Sequence, residues 1–230
     1  MSRRSFFVAL GVLALLVLVG LAAAWLLLRY EPRYYAKLLP GTEKERSEQS
    51  AEFVREFFTF LSAVQGQKEW YGRFTEEQVN SYLAVGLEKH WQAGSPFPEG
   101  VSEPRLVFEP GRIRVAFRYK KGLLDSVVSV SLKVWVPRDE PSALCVQLEY
   151  LKAGLLPLSA QWLLDSFEEK ARANRIDVSW YRHDGLPVAL LRFQTDKAKP
   201  TIRLETAKVE QGAVVFAGTT NDPRGLASRK

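Results

Sequence analysis

Phe6 to Leu28 runs for 23 residues without a charge and is rich in Leu, Val and Ala. At ~1.5 Å rise per residue a helix of that length crosses roughly 30 Å of hydrocarbon. The pattern predicts a transmembrane anchor with a short tail over residues 1–29. Trp25, Tyr30, Tyr34 and Tyr35 gather at its far end, as an interfacial aromatic belt does. A cleaved signal peptide is the first rival, with Ala22-Ala23-Ala24 as its site, yet Trp25 to Leu28 extends the apolar run past that cut. The second is a twin-arginine export signal, which Ser2-Arg3-Arg4-Ser5-Phe6-Phe7 resembles; the long apolar run reads Arg3 and Arg4 as flanking charge instead. Arg29, Arg33 and Lys37 balance them on the other side, so loop charge does not decide orientation. A tail this short stays inside while a long domain crosses, which places the domain outside the cytoplasm.

Residues 30–42 read as a membrane-proximal connector, with Pro32 and Pro40 blocking a continuous helix. Ala51, Val54, Phe57, Phe58, Leu61 and Val64 then recur at helical spacing up to Gly66. A second helix starts at Thr75, where Gln78 three residues on makes a capping-box pattern, with Val79, Tyr82, Leu83 and Leu87 as its buried stripe. It ends around Trp91 to Gly94, and 95–100 is a loop.

Period-two alternation follows. Ile113, Val115, Phe117 and Tyr119 form one apolar row, Val128, Val130, Leu132, Val134 and Val136 a second, and Leu144, Val146, Leu148 and Tyr150 a third. Each strand has one wet and one dry face, as antiparallel strands do. A third helix spans roughly Leu158 to Ala173, with Trp162, Leu163, Phe167 and Ala171 buried. Asp177–Arg182 and Leu186–Thr195 form a hairpin about Asp184-Gly185, and Thr201–Val209 and Ala213–Ala217 another about Gln211-Gly212. The fold class is α+β: one N-terminal transmembrane helix, then a curved antiparallel sheet packed with two or three helices. One domain fills 43–220, and 221–230 is a tail.

Composition narrows the chemistry. The net charge of +6 includes Arg3 and Arg4, and no dense basic stripe follows, so a nucleic-acid partner is not expected. Cys145 is the only cysteine. It can form no intrachain disulfide and no Cys-based zinc or redox site, and it reads as a packed side chain. His90 and His183 are the only side chains that ordinarily titrate near neutrality, and neither has a partner at a recognisable spacing. No hydrolase, phosphate-loop or dinucleotide motif occurs. The reading is a non-enzymatic protein without a cofactor.

Two stretches carry a family resemblance. Phe74-Thr75-Glu76-Glu77-Gln78-Val79-Asn80-Ser81-Tyr82-Leu83 is similar to the LTEEQLNxxL segment of small membrane-anchored bacterial proteins of the YpmS type. Ala153-Gly154-Leu155-Leu156-Pro157-Leu158 resembles that family's Gly-x-Leu-Pro-Leu-Pro turn, with Ser159 at the place of the second Pro. The closing strands from Ile202 to Gly212 resemble those of elongated tubular lipid-binding domains of the bacterial envelope. The resemblance implies an envelope protein that handles lipid and brings no catalytic residues with it. The expected ligand groove is lined by Val115, Phe117, Tyr119, Val130, Leu132, Val134 and Leu148 of the sheet and by Trp162 and Phe167 of the third helix; Trp135 and Tyr150 are further aromatic candidates. Membrane lipid is the expected ligand. The rival is a ligand-free module that docks envelope proteins.

Overall fold

A computed structural model describes residues 3–37, 41–87, 99–122, 124–159, 161, 164–165, 168, 177–192 and 202–221, and within them the side chains of 3–11, 14 and 37 are left aside. The first helix, α1, runs Arg3–Leu28. From Leu15 to Leu27 its side chains are solvent-exposed all round, apart from a half-covered Ala24. Among the described residues no helix is long and apolar enough to cross a membrane.

The short helix α2 (Arg33–Lys37) and the long helix α3 (Glu43–Gly66) come next. Thr42 and Glu45 close a capping box at the start of α3. Strand β1 (Glu69–Thr75) leads directly into α4 (Glu76–Ser81), which continues as one π-helical turn over Tyr82–Gly86. The expected capping box is present, with Thr75 as N-cap and Gln78 closing it. Thr75 is therefore both the end of a strand and the start of a helix. His90 and the expected helix end near Trp91 lie outside the described residues.

The strands are β2 (Val101–Glu109), β3 (Arg112–Lys121), β4 (Leu124–Trp135), β5 (Ala143–Ala153), β6 (Leu156–Pro157), β7 (Asp177–His183), β8 (Leu186–Arg192), β9 (Ile202–Glu210) and β10 (Ala213–Thr220). All pairings are antiparallel. They form two sheets rather than the single one expected: a small one ordered β1-β10-β9, and a large one ordered β2-β3-β4-β5-β8-β7 with β6 beside β5. The reason is β1, which sequence periodicity does not reveal: it offers an edge to β10 and draws the last hairpin away from the large sheet. The dry faces meet across Phe74, Val209 and Val214 of the small sheet and Phe108, Ile113 and Val134 of the large one. Phe60 of α3 enters from the side, edge-on to Phe74 at 5.6 Å. It fits because Gly72 has no side chain; a Cβ there would strike the Phe60 ring.

Two further departures concern faces. Between Ser131 and Leu132 the β4–β5 register shifts, so that Leu132 faces Leu148 while Ser131 faces Tyr150. One extra residue in β5 reverses its later side chains. Tyr150 thus joins the polar face, below the ammonium of Lys152, and Leu151 and Ala153 take the apolar side. The polar face is also not wet at its centre. Tyr35 of α2 is 2% exposed and packs on Ala116 and Val127. Its hydroxyl donates to the Glu103 carbonyl at 3.1 Å, and the Arg105 guanidinium stacks on its ring. Residues 30–37 are therefore not a free tether.

The TEEQVN stretch has a structural role. The Asn80 amide donates to the Leu106 carbonyl and accepts from the Leu106 N–H, both at 2.8 Å. Glu76 accepts from the Phe108 N–H at 2.8 Å. One turn of helix thereby occupies the open edge of β2, an edge that would otherwise expose unpaired backbone groups.

These contacts set the cost of losing them. Asn80→Leu leaves both Leu106 backbone groups unpaired and is expected to cost about 2 kcal/mol in urea unfolding, from ~1–3 kcal/mol per orphaned group. Tyr35→Ala is expected to cost about 3 kcal/mol in the same assay, the low end for truncating a buried aromatic.

Candidate functional site

The dry face of the large sheet carries an open apolar cleft of about 240 Å³. Val115 and Phe117 of β3, Val130 and Leu132 of β4 and Leu148 of β5 line it, together with Val146, Leu164, Trp180 and Ala189. Five of the expected groove residues thus share one cleft. Tyr119 does not line it and packs instead at the α1 end of the same face, on the cluster that includes Val128 and Leu28. Val134 packs at the other end, in the core between the sheets. Trp162 and Phe167 lie outside the described residues, as does most of the expected third helix; residues 161, 164–165 and 168 are helical. Trp135 stands opposite Cys145 on the polar side, near the His183 ring, and Tyr150 is on that side too.

A second, larger cleft of about 480 Å³ lies between α3, the small sheet and β5. Phe57, Phe60, Leu61 and Val64 form its helical wall, Trp70, Phe74, Val214 and Phe216 its sheet wall, and Leu144 part of its floor. Its volume falls in the range of small-molecule sites. Of the helical wall, Phe57, Leu61 and Val64 belong to the apolar spacing read for α3, whereas Phe60 does not, and Ala51 and Phe58 of that spacing are exposed; the sheet wall is not legible, because β1 is short and interrupted by Gly72. Leu144 and Val146 are two residues apart on the same face of β5, so the clefts adjoin. Among the described residues every side chain lining either cleft is hydrophobic and none is titratable.

This apolar track begins at α1. Leu28 packs against the cluster that contains Val128, Val130, Leu148, Leu151 and Ala153. The Leu27 carbonyl accepts from the Leu155 N–H at 2.9 Å, and the Leu28 carbonyl from Ser126 Oγ at 2.6 Å. These are carbonyls a helix end leaves without an intrahelical partner. Gly154 (φ +57°) makes the approach possible, because a Cβ would collide with both carbonyls.

The charged chemistry lies on the opposite face. Arg112 grips Glu149 through Nε at 2.5 Å and Nη2 at 3.0 Å, and Ser131 Oγ donates to the same carboxylate at 2.7 Å. The Arg112 hydrogen bond, with help from Ser131, holds the Glu149 carboxyl below its ordinary 4.5. His183 sits in an exposed turn beside Asp184 at 3.5 Å. Cys145 is buried, 3.4 Å from the Tyr181 hydroxyl, and burial raises its thiol. Among the described residues no group of three or more His, Cys, Asp or Glu side chains could hold a metal ion.

A depressed carboxyl stabilises the fold above its unfolded value and loses that contribution as pH falls through the folded one. Glu149→Gln should therefore be less stable than the parent at pH 7, with the gap closing as pH drops below 4.5 in denaturation curves taken across that range. No family model, curated protein or solved structure matches this chain.

Proposed function

We propose that this chain is a single-pass membrane protein whose domain, held outside the cytoplasm by α1, binds lipid through its hydrocarbon chains in the adjoining clefts. The observation that carries the reading is the pair of adjoining clefts whose described linings are wholly apolar, the smaller of which shares Val130 and Leu148 with the core cluster that Leu28 packs against. Supporting the anchor are the charge-free run from Phe6 to Leu28 and the exposure of its described leucines and valines on every side of the helix. A helix that is hydrophobic all round suits a lipid surround. The resemblance to YpmS-type envelope proteins points the same way. The reading assigns no catalytic residue and no cofactor.

The test is native mass spectrometry of the full-length chain released from detergent, with extraction and identification of bound lipid. Lipid is expected at about one per chain. Phe57→Gln with Leu61→Gln places amides in the larger cleft at positions 39% and 37% exposed, where folding tolerates them, and should remove most of that lipid. A clean apo mass after incubation with membrane lipids would overturn the reading and favour a ligand-free docking module.

A further inference from the structure

We infer that the end of the domain next to α1 is a second membrane contact, seated in the phospholipid headgroup layer of the bilayer that holds the helix. The inference rests on the anchored reading above. The Leu155 N–H donates to the Leu27 carbonyl, which fixes the β5–β6 turn at one level along the helix axis. Exposed Trp25 and Tyr30 bracket that level, and the Arg29 guanidinium lies over the Trp25 ring at 4.4 Å. Trp and Tyr of that kind mark the boundary between hydrocarbon and headgroups. Leu155 stands at the boundary with its side chain 47% exposed.

A second turn is tied to the first. The Gly154 N–H donates to the Val127 carbonyl at 2.8 Å, and Ser126 holds the Leu28 carbonyl. Two residues before Ser126, about 7 Å along the strand, Leu124 is 38% exposed and pairs across the hairpin with Lys121. Lys120 and Lys121 are exposed there, as is Arg29. The nearby carboxylates are Glu31 and Asp125, both engaged by Arg118, and Glu99 beside Gly100. Two exposed leucines flanked by exposed cations match a layer with hydrocarbon below and phosphate above. Water would leave both leucines unused. The same seating places the Leu28 end of the apolar track against the lipid.

The test uses the full-length chain in vesicles of phosphatidylethanolamine and phosphatidylglycerol, in a Cys145→Ala background. Spin labels at Leu18→Cys, Leu155→Cys and Tyr71→Cys are read by power saturation against oxygen and a water-soluble nickel chelate. Leu155 tolerates the change because its bond to α1 is made by the backbone. The expected result is a Leu18 label in hydrocarbon, a Tyr71 label in water and a Leu155 label that has lost most of the nickel accessibility seen at Tyr71. A Leu155 label as accessible as Tyr71, with Leu18 still in hydrocarbon, overturns the second contact and leaves the anchor standing. A Leu18 label in water overturns the anchor and this inference together.

Discussion

The carbonyl groups at the end of α1 impose the constraint on which the rest of the molecule depends. A helix end needs donors from somewhere, and here the sheet supplies them through Leu155 and Ser126. With those bonds made, Leu28 is already part of the core, Glu31 reaches Arg118, and Tyr35 arrives over Ala116 and Val127. The polar face is covered by the same stretch of chain that leaves the helix. The apolar face is left free of that duty and carries the clefts.

Alternation along β3, β4 and the first half of β5 is readable because one face is buried and the side-chain period is two. Val115, Phe117, Val130, Leu132 and Leu148 share a cleft for that reason. Tyr150 takes the face opposite to the one its spacing predicts, because a register shift is a matter of pairing, and pairing leaves no local mark. β2 is hidden for a different reason. Pro104 interrupts its ladder and Glu103 takes a positive φ of 48°, so its residues do not alternate cleanly. The division into two sheets depends on β1 meeting β10 across more than half the chain, which no window of neighbouring residues contains. Thr75 and Gln78 are readable because a capping box is local.

The clefts also define how a lipid would be held. Moving a methylene from water into an apolar site gains about 0.8 kcal/mol. Moving it from a bilayer gains almost nothing, since it already lies in hydrocarbon. On the proposed function, an acyl chain in this track would be stable against water and nearly balanced against the membrane. Retention would then depend on close packing by residues such as Phe60, Phe74 and Val130, whereas release would need only a neighbouring bilayer.

The contacts of Asn80 and Glu76 act on backbone atoms of β2. A seal of that kind makes no demand on the side chains it covers. Leu106 and Phe108 are constrained by the core beneath them, Arg105 by the Tyr35 ring and Glu109 by Arg114, but an exposed position such as Ser102 is free to drift so long as the strand keeps its course. Selection would therefore fall unevenly, strict on one helical turn and lax on the strand beside it, and a short stretch of sequence would outlast its surroundings in divergent copies of the fold.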